Sequence, residues 1–484
     1  MVLSSRRTVS VRRLFDACFC YSLAMWWRFA TMHNNVNIDF FGGLVAAITC
    51  EVQEYYEDKM RLPRGLLWGA VWVASGGAFA SDAASLNDLE ERLYRLEQDA
   101  TSTSPSDNWT DRVSINGFVT YGLTRHNVHE KQGAGIFPNP EQGKPFYYLD
   151  TLSDEVSHRE LSRVGLQFDV KVNDRTSAVV QILGQAIDNY DAEVQWAFVD
   201  YELLPGLHWR GGRLVLPTFM HSQYLNVGYA YHWAALPSEV YGTVPFDTFD
   251  GMDLTWSVNT GPLSHELSAF YGGVDLEDGD PPVTVDYELR NYMGANLRSS
   301  WGSLNSWLSY TESTFTADFA SLGLPSASLD KEVLASGSIG LGYDNGSFML
   351  MAERSYYDSD NWIPDRWGGY VSTGYRFGKW MPHLTWGATN STGLGEVLEE
   401  GDPAKVFLAQ QSMVRSKSWT YGLRYDLAPG VDVKLEAQTF YDMSTSSYRQ
   451  EGANLNGMFT SSVSAGEIDT DDPTVYRLSV DAVF

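Results

Sequence analysis

The last residues of the chain, Thr474 to Phe484, alternate without interruption. Tyr476, Leu478, Val480, Ala482 and Phe484 share one parity, and Arg477, Ser479 and Asp481 share the other. Successive side chains of an extended backbone point to opposite faces, so this spacing predicts a strand with one apolar face and one face carrying both signs of charge. The pattern recurs. Val164, Leu166, Phe168, Val170 and Val172 alternate with Arg163, Gly165, Gln167, Asp169 and Lys171, and Trp419, Tyr421, Leu423, Tyr425 and Leu427 alternate with Thr420, Gly422, Arg424 and Asp426. Val431, Val433, Leu435 and Ala437 repeat it. Near the start of the repeating region, Val113, Ile115, Val119, Tyr121 and Leu123 oppose Ser114, Asn116, Phe118 and Thr120. Segment 192–204 is ambiguous, because Trp196, Phe198, Val199 and Tyr201 populate both parities.

Connections between these segments alternate in length. Tight ones carry turn residues, as at Asn173-Asp174-Arg175, Gly302-Ser303, Asp344-Asn345-Gly346 and Ala428-Pro429-Gly430. Long ones fall near 126–157, 216–249, 274–286, 313–331, 390–416 and 443–473. No long helix is predicted after Arg112. Sixteen strands fit 112–484, or 18 if a long loop hides a hairpin. An even number returns both ends to one side. Short turns at one end and long loops at the other are the asymmetry of an antiparallel barrel that crosses a membrane, with apolar positions on lipid and polar positions around a lumen.

Composition changes the picture in three places. The 34 Lys plus Arg against 61 Asp plus Glu give a formal charge of −27, which argues against a nucleic-acid partner. Cys18, Cys20 and Cys50 all precede the repeating region, so a disulfide framework, a Cys-ligated zinc and a thiol nucleophile are excluded from it. Residues 60–80 hold a charged start (Met60 to Gly65), a short apolar run (Leu66 to Ala74) and Ala78-Phe79-Ala80, the pattern of a secretory signal peptide cleaved after Ala80. Met60 is then expected to be the true start, with 1–59 an upstream extension. Leu86, Leu89, Leu93 and Leu96 follow a heptad seam, predicting a short amphipathic or coiled-coil helix over 81–100, followed by a polar linker over 101–111.

With these features the sequence resembles a Gram-negative outer-membrane porin over 112–484. The residues that carry the resemblance are the aromatic terminal strand ending in Phe484, the run Gly422-Leu423-Arg424-Tyr425-Asp426-Leu427 before a tight turn, and Gly212-Arg213 before a long third loop. The resemblance implies an all-β transmembrane antiparallel barrel of 16 strands, passive diffusion of small hydrophilic solutes or ions, a homotrimer and residence in the outer membrane after Sec export. It also implies that Tyr476 and Phe484 are read by the barrel-assembly machinery. The heptad is similar to the periplasmic coiled coil of some trimeric porins. The Pro-Glu-Phe-Gly-Gly motif of the enterobacterial constriction loop is absent, so pore size and selectivity do not carry over.

The third loop, 216–249, is unusually aromatic, with Phe219, Tyr224, Tyr229, Tyr231, Trp233, Tyr241, Phe246 and Phe249. A water-exposed loop rarely carries so many rings. An inward fold is expected, with Tyr224, Glu239 and Asp247 at a constriction and Arg210 and Arg213 facing the acids from the wall; structural ion pairing is the competing reading. Parity makes Arg163, Lys171, Arg290, Arg298, Arg376, Arg424, Lys434 and Arg477 candidate lumen cations, against Asp169, Glu266, Glu353, Asp426, Glu436 and Asp481. The acidic loops predict a mild preference for cations. Their oxygens could also bridge divalent cations to lipopolysaccharide, though no dedicated cation-binding spacing is present. No cofactor is expected. The dispersed histidines and the lack of Gly-x-Ser-x-Gly, His-Glu-x-x-His or a phosphate loop argue against an enzyme. An adhesin or structural barrel, and less so a barrel enzyme, are the alternatives.

Overall fold

Sixteen strands form where the alternation predicts them. They are β1 (Val113–His126), β2 (Arg163–Asn173), β3 (Thr176–Gln185), β4 (Ala192–Leu204), β5 (Leu207–Val215), β6 (Thr248–Thr260), β7 (Leu263–Asp278) and β8 (Val285–Trp301). The second half comprises β9 (Leu304–Asp318), β10 (Leu329–Asp344), β11 (Phe348–Ser359), β12 (Asp365–Tyr375), β13 (Trp380–Thr392), β14 (Arg415–Ala428), β15 (Val431–Tyr441) and β16 (Thr474–Val483). The structure is a computed structural model that describes residues 112–126, 156–242, 247–278, 285–359, 361–392, 397, 400–412, 415–441 and 474–484. The leader, the heptad helix and the linker lie outside the described residues, as do most of 126–157 and 443–473.

Each strand pairs antiparallel with its sequence neighbours, and β1 closes on β16 from Phe118 opposite Val483 to His126 opposite Val475. Past the ladder, the amide of Gly117 donates to the carbonyl of Phe484 at 2.8 Å, and the amide of Phe484 donates back at 3.0 Å. Closure leaves no unpaired edge, the condition for placing strands in hydrocarbon. No helix among the described residues is long and apolar enough to cross a membrane.

The faces divide by parity. On β16, Arg477, Ser479 and Asp481 are buried, while Tyr476 is 51% and Phe484 68% exposed. Ile115, Tyr121, Leu341 and Leu435 are also more than half exposed on the outside. Such side chains forfeit roughly 1.5–3 kcal/mol each when left in water, so an exterior studded with them fits a hydrocarbon surround. At the turn end, Gly346 takes a φ of 86° that a side chain would resist, and its amide is held by Asp344 Oδ1 at 2.9 Å.

Three departures from simple alternation have local causes. Gln181 and Ile182 face Trp196 and Val194, so Gln195 is bulged out of the β3–β4 ladder. The bulge reverses parity, putting Val194 outside on one side of it and Val199, Tyr201 and Leu203 outside on the other. That reversal is the source of the ambiguity over 192–204. A second irregularity lies between Arg290 and Met293, where Asn291 has a φ of 51°. Finally, α1 (Pro403–Ser412) forms within 390–416, where no helix is expected from the sequence. Asp402 caps it through the amides of Ala404 and Lys405, and Leu408 and Ala409 pack with Phe319, Leu329 and Trp362 at the long-loop end.

Gly165 lies opposite Phe118, whose ring carbons come within 2.2 Å of where a Cβ would stand. Gly165→Val therefore collides with a buried ring, at a cost of about 1–3 kcal/mol. The expected result is a lower urea midpoint for the refolded barrel, followed by heat-modifiable gel mobility, and recovery in the Gly165→Val/Phe118→Ala double variant. An unchanged midpoint in the single variant would contradict this packing.

Candidate functional site

The loop between β5 and β6 leaves the long-loop end and turns into the barrel. Its base is tied where the amide of Leu216 donates to the carbonyl of Asp247 at 2.7 Å. From there its main chain is bonded to the inner wall at several levels. The carbonyl of Thr218 accepts from the hydroxyls of Ser309 and Ser338. Glu353 on β11 accepts from the amide of Met220 at 2.7 Å and from the hydroxyls of Tyr241 and Tyr370. Trp233 donates to Thr385 at 2.8 Å, and His232 meets Ser372 at 2.9 Å.

Wall cations complete the attachment. Arg424 on β14 donates to the carbonyls of Tyr229 and Tyr231 at 3.1 and 3.0 Å. Lys434 on β15 donates to the carbonyl of Gly228 and lies 3.0 Å from Asp481. Arg298 on β8 donates to the carbonyl of Met220 at 3.2 Å, and Arg163 on β2 donates to Asn226 at 3.0 Å. Hydrogen bonds from a charged donor are stronger than neutral ones, about 1.5–3 kcal/mol net. Four of the eight predicted lumen cations thus hold the loop. Arg477 instead reaches Gln438, Glu160 and Glu436. Arg376, just past β12, pairs with Asp344, and Lys171 pairs with Asp174.

A short helix, α2 (Ser238–Tyr241), carries Glu239 against the wall. The sequence makes room for it with two glycines. A Cβ on Gly368 would stand 1.7 Å from the Glu239 carbonyl oxygen, and one on Gly387 would stand 2.5 Å from its carboxyl carbon. Glu239 bonds to Ser418, and burial raises its pKa above the usual carboxylate value against the opposing pull of that bond. Burial likewise pushes His221 down to about 3, with the charge of Arg298 adding to the effect. It takes His232 well below its ordinary value, with His383 next in effect.

The expected facing of acids and arginines across a gap is not what forms. Arg210 pairs with Asp253, its direct neighbour on β6, on the inner face. Arg213 pairs with Asp250 at 2.8 Å on the opposite face, outside the barrel. Residues three apart on a strand cannot share a face, so Arg210 and Arg213 could not both have lined the lumen. Asp247 sits at the loop base with Gln195 and Asn226, and burial raises its pKa. Arg290 is a second correction. Beyond the irregularity in β8 it pairs across with Thr314, opposite in parity to the buried Ser309, Thr311 and Ser313, and it joins Asp275 and Glu288 on the exposed surface.

Tyr224 is where the sequence expects a narrowing, and it borders two recesses. One lies toward the turn end, beside Asn305 and Asp344. The other lies toward the long-loop end, beside Gln195, Val215 and Asp247. The Tyr224 hydroxyl is 2.7 Å from His221 Nδ1. The inner faces of β4 and β5 hold part-exposed polar groups: Asp200 with His208 at 2.8 Å, and Arg210. Sequence reasoning missed the row Ser309, Ser338, Ser372, Thr385 and Ser418, whose shared inward parity is a legible signal for small polar residues beneath a packed loop.

Residues 218–445 match the sequence family described as Gram-negative porin. No curated protein sequence matches the chain. Among solved structures, OmpF of Salmonella typhi in complex with daunomycin aligns at 11% identity and a TM-score of 0.47, covering 77% of this chain and 97% of that one. The outer-membrane channel DcaP of Acinetobacter baumannii aligns at 13% identity and 0.46, again covering 77% and 97%. An anion-selective porin from Comamonas acidovorans aligns at 14% identity and 0.43, covering 77% and 99%. The sequence match spans most of the inserted loop and every strand from β6 through β15 of this closed 16-stranded barrel, and over those residues the chain is similar to the Gram-negative porin family.

Proposed function

We propose that the chain forms a water-filled channel for passive diffusion of small hydrophilic solutes and ions, with loop 216–249 as its constriction. The observation that carries this reading is the attachment of that loop, by its own carbonyls and amides, to side chains of the inner wall. A loop so held narrows a lumen at a fixed place. In this reading the barrel is exported on the leader at 60–80, inserted in the outer membrane by the assembly machinery through Tyr476 and Phe484, surrounded by lipopolysaccharide and associated as a homotrimer. Transport needs no catalytic group and no cofactor.

Arg210 and Arg213 separate the two faces in one experiment. Reconstituted in planar bilayers, the protein is expected to conduct, with a reversal potential mildly favouring cations. Arg210→Ala removes an inner cation beside half-exposed Asp200 and is expected to move that potential further toward cations. Arg213→Ala lies outside and is expected to leave both conductance and selectivity unchanged. Absence of channels would overturn the reading, and an effect of Arg213→Ala equal to that of Arg210→Ala would overturn the assignment of faces.

Loop attachment also carries a pH dependence. A neutral histidine with a depressed pKa contributes stability that is present above its free value, near 6.5, and is lost as pH falls toward the depressed one. His221, held down to about 3, and His232, held well below its ordinary value, act in this direction, while the raised Glu239 and Asp247 oppose them by favouring their protonated forms. The large shifts of the two histidines predict a net loosening of the loop in acid. Open-channel current noise is expected to grow between pH 6.5 and 4 and to recover on return to pH 7.5. Noise that stays flat over this range would contradict the account.

A further inference from the structure

Arginines on the outer wall of this barrel have acids beside them, with one exception. Arg213 pairs with Asp250, and Arg290 pairs with Asp275 and Glu288. Arg354 on β11 is exposed on the same exterior, directly opposite Ile339 of β10 and Gly369 of β12. Its guanidinium carbon lies 4.8 Å from the Trp367 ring centroid. Among the described residues, the Arg354 side chain has no hydrogen bond and no ion pair.

The surroundings are those of a hydrocarbon-facing wall. Ile339, Leu341, Leu350 and Val371 are exposed around and below Arg354, and Phe348 and Tyr375 are exposed at the turn end. Tyr356 and Trp367, direct ladder partners, stand one rung above it toward the long-loop end. A charge on the lipid face is costly at mid-depth and tolerated close to the headgroups, which a long side chain reaches by laying its stem along apolar neighbours. A guanidinium carries five N–H donors in a planar fork, and stacking on an indole fixes the plane in which they point. The Arg354 fork is therefore oriented with its donors unspent.

What meets that fork is an anion from outside the chain. Asp358, four residues on, stands roughly 13 Å along the strand. Asp365 accepts the amide of Ser359 at 3.1 Å. A second copy of the barrel has little to offer, because the outward acids Asp250, Asp275, Glu288 and Glu312 already have partners. A lipid supplies both parts of a match. Its phosphate suits the bidentate geometry of a guanidinium, and its acyl chains suit the apolar shelf below. Ala352 sits low on that shelf, between its direct partners Leu341 and Val371.

We infer that Arg354 and Trp367 form a docking point for the headgroup phosphate of a lipid in the leaflet at the long-loop end, with an acyl chain lying over Ala352. This rests on the outer-membrane channel reading and adds a partner on the outer wall.

Native mass spectrometry of the full barrel, released from detergent micelles after incubation with equal amounts of dioleoyl phosphatidate and dioleoyl phosphatidylcholine, tests it. Phosphatidate is expected to be retained at least about fivefold over phosphatidylcholine, and Arg354→Gln is expected to bring that ratio below about twofold, with Arg354→Lys in between because it keeps the charge and loses the fork. An equal concentration of inorganic phosphate, which brings no chain, is expected not to displace the lipid. Conductance of Arg354→Gln in planar bilayers is expected to match the wild type, since the side chain lies outside the lumen. The wild-type comparison of the two lipids decides the matter even if a variant fails to assemble. Equal retention of both lipids would overturn the docking point, as would an Arg354→Gln barrel with an unaltered preference. Loss of an oligomer in that variant, with lipid retention unchanged, would overturn it in favour of a subunit contact. Absence of channels from the wild type would overturn the reading beneath it instead.

Discussion

A strand that faces hydrocarbon on one side cannot leave a main-chain amide or carbonyl unpaired, because nothing in the surround can serve it. That constraint organises this protein. It forces the ladder from β1 to β16 to close, and it explains the extra pair of bonds between Gly117 and Phe484 that carries closure to the last residue. It also sets the parity of the side chains. With the backbone satisfied within the wall, the remaining freedom is which residues face out, and Tyr476, Val480 and Leu435 on one side against Arg477, Asp481 and Lys434 on the other answer that question strand by strand.

The same constraint recurs inside the lumen. An irregular segment carried away from bulk water exposes carbonyls and amides that no ladder serves. Here the wall serves them: hydroxyls of Ser309 and Ser338 at Thr218, the carboxylate of Glu353 at Met220, the guanidinium of Arg424 at Tyr229 and Tyr231, and the ammonium of Lys434 at Gly228. The aromatic content of the loop fills the space between these anchors, as where Phe219, Tyr231 and Trp233 pack with Met349, Met351 and Tyr370. The polar residues of the wall therefore divide into those that hold the loop and those left toward the lumen, such as Asp200, His208 and Arg210.

Much of the fold was legible because period-two alternation is a direct record of two different surroundings. Strand β4 begins and ends at the bounds of segment 192–204, and the count of sixteen follows from turn residues such as Asp344-Asn345-Gly346. What parity cannot show is where it resets. The bulge at Gln195 and the irregularity at Asn291 shift all the residues beyond them, which is why 192–204 reads as two-faced and why parity alone places Arg290 inside. The site was less legible for another reason. Charge along a strand indicates a wet face, yet the partner of each charge depends on contacts between residues far apart in the chain. Arg424 and Tyr231, or Glu353 and Met220, have no sequence relation that would reveal them. The glycines that admit Glu239, Gly368 and Gly387, look like ordinary strand glycines until the loop lies over them.

The central claim is that neighbouring residues of one strand face lipid and water in turn, and β2 tests it directly. The three native cysteines, Cys18, Cys20 and Cys50, all lie outside β2, so with these replaced by serine a thiol introduced there is the only one in the chain. Cysteine substitutions at each position from 166 to 171, in protein reconstituted into vesicles, can be challenged with a charged, water-soluble thiol reagent and, separately, with a nitroxide-bearing lipid. The account predicts rapid modification at 167, 169 and 171, and lipid contact at 166, 168 and 170. Uniform modification along the segment, or lipid contact at the odd positions, would contradict it.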